Sequence, residues 1–135
     1  PLKRYQHAYM SSLERRLTIE AERLLISTDS VFSMDGEVAP LTQMVALSQQ
    51  YAAPLMIDEA HGIGVLGEQG RGAAYAAGLN ANDVPILMGT LGKAFGVAGA
   101  FVAGSHDVIE MLIQSARSYI YTTAMPAAMA STHLF

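Results

Sequence analysis

Three short apolar runs, each separated from the next by enough chain for a helix, constrain this sequence more than any other feature. They are Leu24-Leu25-Ile26-Ser27-Thr28, Leu55-Met56-Ile57-Asp58 and the stretch from Val84 to Met88. Runs of four or five apolar residues are too short for a buried helix and read as buried strands. Between the first two, a turn at Ser33-Met34-Asp35-Gly36 precedes Pro40, which suits a first helical turn. Leu41, Met44, Val45, Leu47 and Tyr51 then mark one face of a helix to about Ala53, where Pro54 ends it. Upstream, Met10, Leu13, Leu17 and Ala21 recur at helical spacing. Downstream, Ala100-Phe101-Val102-Ala103 returns so soon after the third run that an antiparallel strand is expected, and Val108, Met111, Leu112 and Ser115 predict a further helix. Such alternation argues an α/β fold, a mostly parallel sheet with flanking helices, which binds ligands at the carboxyl ends of its strands. Asp58 and Lys93 both stand at such ends.

Composition narrows the function. Of the 135 residues 51% are hydrophobic and 15% charged, enough to fill one packed core and too few charges for a disordered chain. Eight Lys and Arg against twelve Asp and Glu leave a net charge of −4 and no obvious basic patch to displace counterions from nucleic acid, so a nucleic-acid partner is not expected. Cysteine is absent, which removes disulfides, thiolate metal sites and thiol nucleophiles together. No apolar run approaches the ~18 residues of a membrane span, and no hydrophobic stretch follows Lys3 and Arg4 as a secretory signal requires. The expectation is a cytoplasmic protein with no nucleic-acid or membrane partner. Pro1 stands where an initiator Met is usual, so a longer protein is expected.

Two chemistries compete for the polar residues at the strand ends. Asp58-Glu59-Ala60-His61 spells the acidic box of a helicase, but a phosphate loop must precede that box and carry Gly-Lys followed by Ser or Thr. Here Gly92-Lys93 comes afterwards, and Ala94 stands where the hydroxyl belongs. The other chemistry is that of pyridoxal phosphate, which needs a lysine amine, an aspartate against a ring nitrogen and hydroxyls near a phosphate. Lys93, Asp58 and Thr90 supply these types. Each has a plainer reading: Lys93 as a surface lysine, Asp58 as a cap of the adjoining turn, His61 as a turn residue. No second ligand stands at metal spacing from His61, so no metal site is expected.

Four segments in order carry a resemblance. Thr28-Asp29-Ser30-Val31-Phe32-Ser33-Met34-Asp35-Gly36, Asp58-Glu59-Ala60-His61-Gly62, Gly67-Glu68-Gln69-Gly70-Arg71-Gly72 and Thr90-Leu91-Gly92-Lys93-Ala94-Phe95-Gly96 are similar to the α-oxoamine synthases. These are fold-type I pyridoxal-phosphate enzymes that join an amino acid to an acyl-CoA with loss of carbon dioxide. The resemblance implies that Lys93 bonds the cofactor, Asp58 pairs with its ring nitrogen, His61 and Ser33 hydrogen-bond its ring hydroxyl, and Thr90 holds its phosphate. Thr122, in Tyr121-Thr122-Thr123-Ala124-Met125-Pro126, matches a hydroxyl that reaches the neighbour's phosphate across a homodimer interface. Residues 61–72 most resemble the branch that condenses L-alanine with a pimeloyl thioester in biotin synthesis; 2-amino-3-ketobutyrate and 5-aminolevulinate makers are the alternative. After His7 the family often has Asn-Asp, whereas Ala8-Tyr9 stand here, and His7 is left outside the site. Family members are longer, so the resemblance makes residues 1–135 the middle of the cofactor-binding large domain, inactive alone.

Overall fold

The computed structural model describes residues 2–19, 23–124 and 126–128. Helix α1 (Met10–Ile19) leads to β1 (Ile26–Asp29), then α2 (Leu41–Gln50) and β2 (Leu55–Asp58). A 3-10 turn at Glu68–Gly70 and a short α3 (Ala73–Ala76) precede β3 (Ile86–Thr90). The chain continues through β4 (Ala100–Gly104), α4 (His106–Ser115) and α5 (Arg117–Ile120). The four strands form one sheet in the order β1-β2-β3-β4; the first three are parallel and β4 runs antiparallel to β3. The expected α/β sheet and its antiparallel return are therefore present.

Boundaries differ from the sequence expectation in two strands. β1 starts at Ile26, the first residue to face a partner (Leu55), while Leu25 is exposed. β3 starts after Pro85, which has no N–H for a ladder, and runs on to Thr90 because Gly89 and Thr90 pair with Phe101 and Ala100 of β4. α2 is shorter than expected: Ala52 takes a positive φ of 49°, and the Ala53 N–H turns back to the Ser48 carbonyl at 3.0 Å. The Ala21 end of α1 lies outside the described residues.

The core sits where α1 and α2 cover β1 and β2. Leu13 and Leu17, Leu41, Met44 and Val45, and Ile26, Leu55 and Ile57 are all buried. Removing apolar side chains like these from water is the main favourable term holding the layers together. The β4 side is different: only Phe101 of β4 is even half-buried, and α4 buries no residue, although Ser105 caps it by accepting from the Val108 N–H. Among the described residues no helix is long and apolar enough to cross a membrane.

The segment ahead of α1 docks through Tyr5, which packs against the core beside the end of β1. Burial pushes the Tyr5 phenol above its ordinary 10.0; the nearby Asp29 carboxylate adds to the rise and a hydrogen bond with Thr28 opposes it. Below that ordinary value the phenol is neutral whether the chain is folded or not. Above it the unfolded chain ionises first, so stability is lost as pH rises. We expect the stability advantage of the wild type over Tyr5→Phe to shrink above pH ~10 in urea unfolding. A gap between the two proteins that stays constant across that range would show that the phenol is not held in a desolvated place.

Candidate active site

Parallel register brings five of the six candidate residues, Ser33, Asp58, His61, Thr90 and Lys93, to one edge. Asp29 lies level with Asp58, and Asp58 with Met88, so β1, β2 and β3 release their loops side by side. The Ser30 N–H donates to the Asp58 carbonyl at 2.8 Å, and the Glu59 N–H to the Met88 carbonyl at 2.7 Å, extending the ladder past the named strands. Asp58, half-buried, ends β2. One of its carboxylate oxygens accepts the Ala60 N–H at 2.8 Å, which fixes the side chain. The turn-cap reading of Asp58 is thus realised, and it leaves the second oxygen available for a cationic partner.

His61, also half-buried, stands in the turn after β2. That turn is shaped by Glu59, whose carbonyl accepts the Gly62 and Ile63 N–H groups at 2.9 Å each. Across the gap, the loop after β3 is tied by Leu91 N–H to Gly99 carbonyl at 2.9 Å and by Gly96 N–H to Lys93 carbonyl at 3.0 Å, and it presents Lys93 exposed. The two loops touch: a Cβ on Gly64 would stand 2.6 Å from the Ala94 Cβ, closer than atoms can pack. Thr90 closes β3. Its hydroxyl donates to the Gly99 carbonyl at 3.1 Å and accepts the Gly92 N–H at 3.2 Å.

Ser33 is exposed in the turn that follows β1, between Val31 and Val38, which form an isolated antiparallel bridge. His7, set aside on sequence grounds, supports that loop: its ring meets Phe32 edge-on at 4.2 Å and its Nε2 lies 2.9 Å from the Glu37 carboxylate. Thr122 stands apart. It follows α5, which packs on α4 and so belongs to the β4 side, and its exposed hydroxyl donates to the Ser118 carbonyl. Of its surrounding motif, Met125 lies outside the described residues.

One residue of the site was missed by the sequence reading. Glu59, only 1% exposed, lies between Asp58 and His61 and accepts three hydrogen bonds through its carboxylate. The Ser30 hydroxyl donates at 2.8 Å, Ala73 N–H at 3.1 Å and Ala74 N–H at 2.7 Å. These donors offset the cost of burying a carboxylate and satisfy the first N–H groups of α3, which has no side-chain cap of its own. Only Gly fits at position 62, where a Cβ would lie 2.1 Å from Glu59 Oε2. The signal was Glu flanked by glycines at 62 and 72, legible only once the loop is known to double back.

An acceptor, an imidazole, hydroxyls and one amine on adjoining loops suit a phosphorylated, nitrogen-containing aromatic aldehyde, so the donor set fits the cofactor that the resemblance implies. A cavity of about 730 Å³ lies elsewhere, between α3 and the β3–β4 pair, lined by Arg71, Tyr75, Asn80, Val84 and Ser105 among others, and includes none of the six candidates.

Comparison with known proteins agrees with this architecture. A family model described as aminotransferase class I and II matches residues 1–133. The chain is 58% identical over 131 residues to 8-amino-7-oxononanoate synthase of Thioalkalivibrio sulfidiphilus, covering 95% of this chain and 33% of that protein. It is 52% identical over 130 residues to the enzyme of that name from Marinobacter nauticus, covering 96% and 33%. Among solved structures it resembles Sphingomonas wittichii serine palmitoyltransferase, with TM-score 0.87, 37% identity and coverage of 96% and 33%. The Francisella tularensis 8-amino-7-oxononanoate synthase matches with TM-score 0.82, 38% identity and coverage of 98% and 38%. The chain spans about a third of the length of the curated relatives it matches.

Gly62→Ala should test the packing directly. The added methyl must displace the Glu59 carboxylate, and overpacking of this kind costs ~1–3 kcal/mol, read from urea unfolding. A midpoint equal to that of the wild type would mean that the carboxylate is not seated against Gly62.

Proposed function

Since the chain belongs to the aminotransferase class I and II family, and its relatives and structural neighbours to the α-oxoamine synthase branch, we propose that residues 1–135 are part of the cofactor-binding large domain of a pyridoxal-phosphate acyltransferase. The reaction is the decarboxylative condensation of L-alanine with a pimeloyl thioester to 8-amino-7-oxononanoate, as in biotin synthesis, carried out by a cytoplasmic homodimer. The observation that carries the reading is the placement of Asp58 and the Lys93 loop at the carboxyl ends of adjoining parallel strands, with the intervening loops in contact. The substrates follow from the names of the relatives that are 52% and 58% identical; serine palmitoyltransferase structures, at 37% or less, support the cofactor and the acyl-transfer class rather than these substrates.

When bound, pyridoxal phosphate supplies a protonated ring that withdraws electrons from the substrate's α-carbon. Asp58 would keep that proton in place, its second oxygen accepting the ring N–H, because an opposite charge beside the nitrogen favours the protonated form. His61 and Ser33 would hydrogen-bond the ring hydroxyl and so help to hold the ring. Thr90 would hold the phosphate, its hydroxyl exchanging the present bond to the Gly99 carbonyl for one to the phosphate. Lys93 would hold the aldehyde carbon through its Nζ, with water leaving as that bond forms, and the same amine would be the proton carrier at the substrate's α-carbon. Thr122 would serve the phosphate bound in a partner subunit.

Borohydride treatment of the cofactor-loaded intact protein should fix the label on Lys93, one of two lysines in these 135 residues. Peptide mapping that finds it on Lys3 would sink the assignment. Asp58→Asn keeps the size of the side chain and its acceptor for Ala60 while losing the charge. We expect it to retain cofactor but lose roughly 100-fold in kcat, about 3 kcal/mol. Turnover near that of the wild type would make Asp58 purely a turn cap.

A further inference from the structure

We infer that Glu59 is a positioning residue for the two groups that flank it: its buried carboxylate fixes the chain from Asp58 to His61, and with it the directions from which those side chains meet the cofactor. The inference rests on the cofactor reading above.

Glu59 joins β3, the turn after β2, the loop after β1 and the start of α3. Its N–H binds Met88 on β3, its carbonyl binds the N–H groups of Gly62 and Ile63, and its carboxylate binds Ser30 after β1 together with Ala73 and Ala74 of α3. Among the described residues, Asp58 and His61 have no comparable anchoring of their own. Asp58 has one oxygen on the Ala60 N–H, and Ala60 is the residue after Glu59. A shift of the Glu59 backbone therefore moves the acceptor for the ring nitrogen and the imidazole together. Because the three carboxylate donors come from two distant parts of the chain, the turn cannot relax locally to compensate.

Glu59→Gln isolates this role. The amide has the same size, but whichever way it is turned, its NH2 faces one of the N–H groups of Ala73 and Ala74 instead of accepting from it. The side chain must then shift or leave an N–H unpaired. Neither response touches the charge of Asp58 or the amine of Lys93.

The experiment compares wild type, Glu59→Gln and Ser30→Ala as intact proteins loaded with pyridoxal phosphate. Visible circular dichroism per bound cofactor reports how firmly the ring is held at one tilt. Glu59→Gln should keep the cofactor on Lys93 after borohydride but show a weaker visible band and a kcat lower by about 10- to 100-fold, the effect of a displacement near 1 Å. Its KM should stay within about threefold, because the loss falls on the reacting geometry rather than on uniform binding. Ser30→Ala removes one donor and leaves both α3 N–H groups paired, so both readings should move the same way by less. A Glu59→Gln protein that retains cofactor with the band and kcat of the wild type overturns the inference. If that variant does not fold or does not hold cofactor, Ser30→Ala decides: reduced values support the inference and wild-type values overturn it. The cofactor reading is judged separately, since failure to label Lys93 in the wild type sinks that reading and the role of Glu59 with it.

Discussion

A single buried carboxylate organises the carboxyl edge of this sheet. A carboxylate removed from water is costly unless its oxygens are filled, and Glu59 has its two oxygens filled by three donors drawn from Ser30, Ala73 and Ala74. Once that condition is met, much else follows. The loop after β1 must pass close enough to offer Ser30, which is wholly buried. The chain after β2 must turn tightly enough that only glycine is tolerated at position 62. The glycine-rich stretch that follows must double back so that the start of α3 points at Glu59. Its own bonds support this path, Gly64 N–H to Gly70 carbonyl at 2.7 Å and Gly72 N–H to Leu66 carbonyl at 2.8 Å.

Much of this architecture was legible in the sequence because it is local. The strand at residues 55–58 is a four-residue apolar run ending in an acid, and the amphipathic faces of α1, α2 and α4 are periodic over ten residues each. Strand limits were less legible, since they depend on which residues find partners. Leu24 and Leu25 are as apolar as Ile26, yet pairing begins only at Ile26. Gly89 and Thr90 read as loop residues and became strand because β4 returns beside them, with the Phe101 ring lying where a Cβ of residue 89 would stand.

What escaped the sequence was non-local. α3 is four residues long, Ala-Ala-Tyr-Ala, with no periodicity to detect, and the 3-10 turn and α5 are equally brief. The start of α3 is satisfied by a side chain 14 residues earlier. Glu59 itself read as the middle letter of an acidic motif, and a glutamate beside an aspartate is ordinarily expected to face water. Among the six candidate residues, side-chain chemistry at the strand ends singled out Asp58, Thr90 and Lys93, while Ser33, His61 and Thr122 took their proposed roles only from the resemblance. The sequence had no means of saying that His7 braces the loop of Ser33 through Phe32 and Glu37, because those contacts span 25 and 30 residues.

The order of the two acids carries its own physical meaning. In extended chain successive side chains point to opposite faces, and the Glu59 N–H still pairs with β3, so the alternation persists through Asp58 and Glu59. One acid is therefore turned to the interior and the other left half-open at the strand edge. The interior position requires the longer side chain, since its oxygens must reach Ser30 on one side and the Ala73 and Ala74 N–H groups on the other. The edge position suits the shorter one, which can fold onto the Ala60 N–H and still present an oxygen outward. Exchanging the two would leave the α3 N–H groups beyond the reach of an aspartate and give the edge a longer, looser carboxylate. A slip of one residue in the β2 register would have the same consequence, since it swaps every side chain between faces. Leu55 and Ile57, both fully buried, oppose that slip with the apolar surface they would expose. The core packing of β2 and the aim of Asp58 are thus set by one register.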